Sequence, residues 1–154
     1  MLAIITSDSH GHIDLFRKLI KAYPDADLYL DAGDSEKHDF ELVPFISVKG
    51  NCDAYIRERY RIIGFGSDNI YLFHGAYTNL CDKALYLRAR RYKCNIIIHG
   101  HTHVPKYHIY QGIHIICPGS VVYPRFASDA TYVLLRREPE IKVEFIKVKY
   151  EKSG

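Results

Sequence analysis

Short, unbroken apolar runs recur along this chain, first as LAIIT at 2–6 and later as NIYLF at 69–73 and NIII at 95–98. Three or four apolar residues without alternation suit a strand covered on both faces, since a half-exposed strand would carry a polar residue at every second position. A fold built on such strands must place something over each side of its sheets, and the chain offers amphipathic segments for that. Ile13, Phe16, Leu19, Ile20 and Tyr23 recur at helical spacing, with Pro24 just beyond them. The segment TNLCDKALYLRARRY (78–92) predicts a second helix, capped by Thr78 or Asn79.

Further strands are predicted at DLYLDA (27–32), PFISVK (44–49), IHIIC (113–117) and TYVLL (131–135). A short polar segment between the first two has room for one helical turn. The turn-prone GFGSDN precedes the strand at 69–74, and IKVEFIKVKY (141–150) alternates well enough for a half-exposed terminal strand. Strands alternate with helices early and dominate late, which predicts an α/β protein with mixed sheets. No repeat, low-complexity stretch or linker interrupts residues 1–154, so one domain is expected.

Composition narrows the function classes. A net charge of +3 tolerates a phosphorylated partner but gives no dedicated nucleic-acid-binding surface. No run approaches a membrane span, and the N-terminus reads as a first strand rather than a signal peptide. Cys52, Cys81, Cys94 and Cys117 show no paired spacing, so free thiols and a cytoplasmic setting are expected.

The chemistry lies just past the end of each apolar run. SDSHG brings Asp8 and His10, AGDS brings Asp34, KGNCD brings Asn51, Cys52 and Asp53, HGAY brings His74, and HGHTH brings His101 and His103. Ligands of open α/β sheets bind at the carboxyl ends of strands, so these groups converge if the strands lie side by side. Imidazole nitrogen with carboxylate and amide oxygen suits manganese, iron, cobalt, nickel or zinc rather than calcium. Seven ligand residues exceed one tetrahedral site and suffice for two ions sharing a carboxylate. Two divalent ions outweigh two aspartates, so the site favours a hydroxide and an anionic substrate such as a phosphate ester.

In this order, and over most of the chain, DSH, GD, GNCD, HG and GHTH resemble the motifs of the calcineurin-like metallophosphoesterases, in particular their small single-domain phosphodiesterase branch. The resemblance implies a four-layer α-β-β-α sandwich with two mixed β-sheets and a dinuclear metal centre on one edge. It places Asp8, His10 and His103 on one divalent ion, Asn51, His74 and His101 on the other, and Asp34 between them. Asp34, Asn51 and His74 are then the catalytic residues of a phosphodiesterase that attacks with a metal-activated hydroxide. Cys52, Asp53 and Arg125 are expected on the substrate side. The substrate class is a small phosphate ester, a nucleotide-derived one among the candidates, and self-association is left open.

Three departures bear on the chemistry. Cys52 stands where many relatives have a histidine that protonates the leaving group, and Ala76 replaces a second histidine after His74-Gly75. CPGSVVYPR resembles a loop usually written Asn-Pro-Gly-Ser, with Cys117 in place of the asparagine. These departures predict a slow or selective enzyme. A protein-interaction scaffold of the same fold, like the retromer sorting subunit, is the alternative reading, against which the full set of seven donors counts. His12, His38, His108 and His114 lie outside the motifs and are expected to be structural. His99 is expected as a bystander at the rim, and Cys81 and Cys94 as small core residues.

Overall fold

The computed structural model describes residues 1–149. Two five-stranded sheets face one another. The first joins β1 (Leu2–Thr6), β2 (Leu28–Asp31), β3 (Phe45–Ser47), β9 (Thr131–Arg137) and β10 (Ile141–Lys147) in the order β10-β9-β1-β2-β3. The second joins β4 (Tyr60–Phe65), β5 (Asp68–Phe73), β6 (Ile96–Ile98), β7 (Lys106–Tyr110) and β8 (Ile113–Cys117) in the order β4-β5-β6-β8-β7. Each sheet has a parallel trio: β1-β2-β3 carries the antiparallel β9 and β10 on the β1 side, and β5-β6-β8 lies between the antiparallel β4 and β7.

The period of two decides which residues meet. Ala3 and Ile5 face the opposite sheet, with Leu30, Ile70, Leu72, Ile96, Ile98, Val133 and Leu135 in the same inter-sheet core. The residues between them point outward. Ile4, Tyr29 and Leu134 pack under Leu15, Phe16 and Leu19 of α1 (Ile13–Ala22) and Leu42 of the single-turn α2 (Asp39–Leu42). Tyr71, Ile97 and Ile115 pack under Leu85 and Ala89 of α3 (Asp82–Arg91). Three apolar interfaces between four layers make the α-β-β-α sandwich, and they explain why the central strands carry no alternation.

Two strands were not legible in the sequence. β4 and β7 are the edges of the second sheet, where Tyr60, Ile62 and Gly64, or Lys106 and Ile109, are exposed and Arg61 and His108 only partly covered. Edge strands with polar and charged residues resist pairing with other chains, and the same residues hide them from a search for apolar runs. The expected helix over 78–92 begins later than its cap residues suggested. Asn79 Oδ1 accepts the Cys81 N–H at 3.0 Å in a local turn, and Cys81 rather than Thr78 or Asn79 sits at the N-cap. Cys81 is consequently exposed, against its expected place in the core, whereas Cys94 is buried. The terminal strand ends at Lys147, and Tyr150 lies outside the described residues. Among the described residues, no helix is long and apolar enough to cross a membrane.

Candidate metal centre

The carboxyl ends of β1, β2, β3, β5 and β6 gather at one edge of the sandwich, three from one sheet and two from the other. Backbone hydrogen bonds carry the strand register into the loops. Asp8 N–H donates to Gly33 O, and His10 N–H to Asp34 O, both at 2.9 Å. Gly100 N–H donates to His74 O at 3.0 Å across the second sheet. The turns are sharp. Asp8, His10, Asp34, His101 and His103 all adopt left-handed backbone, with φ of 54°, 43°, 60°, 71° and 62°. Non-glycine residues seldom take that conformation, and concentrated strain of this kind marks functional sites.

All seven sequence-derived ligand residues meet here. His103 Nε2 lies 3.2 Å from Asp8 Oδ1 and 3.4 Å from His10 Nε2. His74 Nε2 lies 3.2 Å from Asp34 Oδ2 and 3.0 Å from Asn51 Oδ1, which in turn is 3.2 Å from His101 Nδ1. Three sets of ligand atoms cluster within 4.8 Å: Asp8, His10 and His103; Asp8, Asp34 and His74; and His10, Asp34 and Cys52. The sets overlap through Asp8 and Asp34, so they form one continuous site.

The hydrogen bonds around the rings show what such a site requires. Glu36 Oε2 holds His10 Nδ1 at 3.1 Å, the Ala32 carbonyl holds His74 Nδ1 at 2.8 Å, and the Tyr123 carbonyl holds His103 Nδ1 at 2.6 Å. In the neutral rings these contacts place the proton on Nδ1, leaving each Nε2 lone pair aimed inward at other acceptors. Asp8 repeats the pattern. Its Oδ2 accepts the Ser7 hydroxyl at 2.5 Å and the His101 N–H at 3.1 Å, while Oδ1 is buried without a hydrogen-bond partner. Lone pairs converging on lone pairs repel unless a cation lies among them, so these residues fit divalent metal ions.

Without a cation among these groups, protonation of the rings answers the same convergence. Burial works against the charged form of Asp34, but hydrogen bonds from His74 and the Cys52 N–H hold its carboxyl below the usual range. Burial also opposes a charged His74, yet the hydrogen bond to Asp34 and the charges of Asp8 and Asp34 raise its pKa. The adjoining Asp8 carboxylate raises His103 by favouring its protonated ring, while burial lowers His101.

The substrate-side expectations divide. Asp53 does not face the site's opening. It is buried, and its carboxylate accepts the N–H groups of Asp34, Gly50 and Glu36 at 2.8, 2.7 and 2.8 Å, tying the β2 and β3 loops together. Cys52 is exposed beside Asp34, and Asn51 Nδ2 donates to its Sγ at 3.5 Å. Arg125 lines a surface cavity of about 570 Å³ with His10, Glu36, His103 and Tyr123. His99 is not at the rim. It is buried, its Nδ1 lies 2.9 Å from Gly100 O, and burial lowers its pKa. Cys117 is buried behind Thr102, and burial pushes its thiol up to about 11.

Two supporting residues are not among those expected from the sequence, although Ser120 lies in the CPGSVVYPR loop noted there. Glu36 orients His10. Ser120, in the Pro-Gly-Ser loop, donates to the Asp8 carbonyl at 2.8 Å and accepts the Val122 and Tyr123 N–H groups. That loop is therefore a brace for Asp8 and, through the Tyr123 carbonyl, for His103.

Comparison with known proteins points the same way. Residues 1–139 match the calcineurin-like phosphoesterase superfamily domain. A probable metallophosphoesterase of Bacillus subtilis, YsnB, is 32% identical over 145 residues, covering 90% of this chain and 85% of its own. The crystal structure of a predicted phosphoesterase from Streptococcus pneumoniae superposes with a TM-score of 0.88 at 28% identity, over 97% of this chain and 91% of that one. Vps29 from Entamoeba histolytica, solved in complex with zinc, has a TM-score of 0.73 at 22% identity, over 97% and 100% of the two chains, and shares the fold.

Proposed function

Because this chain belongs to the calcineurin-like phosphoesterase superfamily, we propose that it is a phosphodiesterase that uses two divalent transition-metal ions and hydrolyses small phosphate esters. The observation that carries this reading is the inward convergence of Nε2 lone pairs on Asp8 Oδ1, Asp34 Oδ2 and Asn51 Oδ1. Asp8, His10 and His103 would hold one ion and Asn51, His74 and His101 the other, with Asp34 shared. Bound there, the ions would polarise phosphoryl oxygens and lower the pKa of a water from about 15.7 towards 7.

The protein's own residues supply position and charge. Glu36, Ala32 and Tyr123 prevent the His10, His74 and His103 rings from turning. Arg125 lines the same cavity as His103, where its guanidinium would meet charge developing on equatorial phosphoryl oxygens. Cavities flank both sides of the cluster, one at Asn51 and His74 and one at His10 and His103, which matches the two arms of a diester. In this reading Cys52 is the leaving-side residue, and burial and the Asp34 and Glu36 charges keep its thiol protonated. A thiol is a weak proton donor to an alkoxide, which favours substrates with good leaving groups such as phenolates.

Metal analysis of purified protein should give about two ions per chain. Asn51→Ala should abolish hydrolysis of bis(p-nitrophenyl) phosphate without unfolding the chain, and unchanged activity would remove the second ion from this account. Cys52→His should raise hydrolysis of alkyl esters by on the order of 10²-fold relative to aryl esters. An unaltered ratio would mean that no proton is delivered from that position. The fold shared with Vps29 favours a protein-interaction scaffold as the second reading. A metal-loaded protein with no activity on any mono- or diester would leave that reading standing.

A further inference from the structure

The cavity on the Asn51 and His74 flank has a composition of its own. It encloses about 400 Å³, within the range of small-ligand sites, and its walls continue directly from those two residues. Lys49, Arg59 and Arg88 line it, and no carboxylate does. Among the described residues none of these three cations forms an ion pair. Arg88 is fixed in place, its guanidinium 4.9 Å from the Phe73 ring centroid and its Nη1 donating to the Tyr71 hydroxyl at 3.3 Å. Arg59 is exposed at the rim.

The remaining wall is aromatic. Tyr60 stacks on Tyr71 at 5.3 Å with an interplanar angle of 11°, and Tyr92 leans on both at 5.2 and 5.1 Å. Tyr71 is buried, so this stack has a rigid base, while Tyr60 is 44% exposed and Tyr77, across the opening, 98% exposed. Ala76, in the same wall, contributes only a methyl group and leaves the space open.

Unpaired cations beside flat, partly exposed rings suit a ligand that is anionic at one end and planar at the other. Resting on the phosphoesterase reading above, we propose that this cleft binds one arm of the substrate, and that this arm is a nucleoside carrying a second phosphate besides the scissile one. The base lies against Tyr60 and Tyr77, and the second phosphate against Lys49, Arg59 and Arg88. The opposite cavity, with Arg125, receives the other arm.

Three chromogenic diesters separate these contributions: bis(p-nitrophenyl) phosphate, the p-nitrophenyl ester of thymidine 5′-phosphate, and the same ester bearing a 3′-phosphate. For the wild-type protein kcat/KM should rise along the series. Arg59→Gln and Lys49→Gln should each remove about tenfold of the gain due to the 3′-phosphate, through KM, and leave the first ester within twofold. Calorimetry with thymidine 3′,5′-bisphosphate on manganese-loaded protein should show the same loss of affinity, and weaker binding in high salt. Equal losses on all three esters, or none on any, would overturn the subsite. If no ester is hydrolysed, the phosphoesterase reading fails by itself. Calorimetry still decides the cleft, since bisphosphate binding that is absent, or indifferent to Arg59→Gln, refutes it.

Discussion

Gly50→Ala should empty the metal centre. A Cβ at position 50 would lie 2.0 Å from Asp34 Oδ1 and 2.7 Å from the Asp34 backbone nitrogen. The second contact is with backbone, so no rotamer change relieves it. Asp34 is displaced, and with it the Cys52 N–H bond at 2.8 Å that orients its carboxylate. Disturbing the support of a ligand typically lowers metal affinity by roughly 10- to 100-fold, and here the ligand itself moves, so a loss at or above the upper figure is expected. Overpacking of this kind also costs about 1–3 kcal/mol of stability, read as a fall of roughly 3–10 °C in Tm. Gly64→Ala is the control, because a Cβ there meets nothing within 4 Å. Metal content in Gly50→Ala equal to that of the wild type would show that Asp34 is not the shared ligand.

Asp31→Asn should stabilise the protein at and above neutral pH. Asp31 is fully buried at the end of β2, where its carboxylate accepts the Thr6 hydroxyl at 3.0 Å and the Ser47 hydroxyl at 2.7 Å. Burial, only partly offset by the Ser47 and Thr6 hydrogen bonds, raises its pKa from 3.8 to about 7. A group with a raised folded-state pKa contributes its full stability below its unfolded pKa and loses it as pH rises through the folded one. In chelator-treated protein, stability should therefore decline between about pH 4 and 7 by up to roughly 4 kcal/mol from this residue alone. Asparagine is isosteric and uncharged; the Thr6 hydroxyl can rotate to accept from its Nδ2 while the Ser47 hydroxyl keeps donating to its Oδ1. At pH 8 the variant should melt roughly 10 °C above the wild type, with no difference near pH 4. Parallel Tm-versus-pH curves for the two proteins would refute the assignment.

The inter-sheet architecture was legible because burial on both faces leaves a direct mark: Ile4 and Ile5, or Ile96, Ile97 and Ile98, read as unbroken apolar runs. The proposed ligand residues were legible because each comes shortly after such a run. The features that escaped notice depend on contacts across the fold. Asp53 resembles the other acids of the site, yet backbone N–H groups from two loops take up its carboxylate, and no local pattern announces that. Asp31 looked like the ordinary end of a strand, since its environment is set by Thr6 and Ser47 on neighbouring strands. His99 alternates with His101 and His103, but the turn at Gly100 sends it inward. β4 and β7 were missed because an edge strand shares its polar content with loops.

The left-handed backbone at five of the seven proposed ligand residues has an evolutionary consequence. Each such residue costs about 1 kcal/mol or more relative to a relaxed conformation, so together they draw on a sizeable part of a stability that is typically about 5–15 kcal/mol. Glycine at any of them relieves backbone strain and removes a ligand in the same step. Abandoning catalysis is thus a downhill path for this architecture, and a lineage that takes it keeps a sturdier sandwich on which surfaces for other molecules can be built.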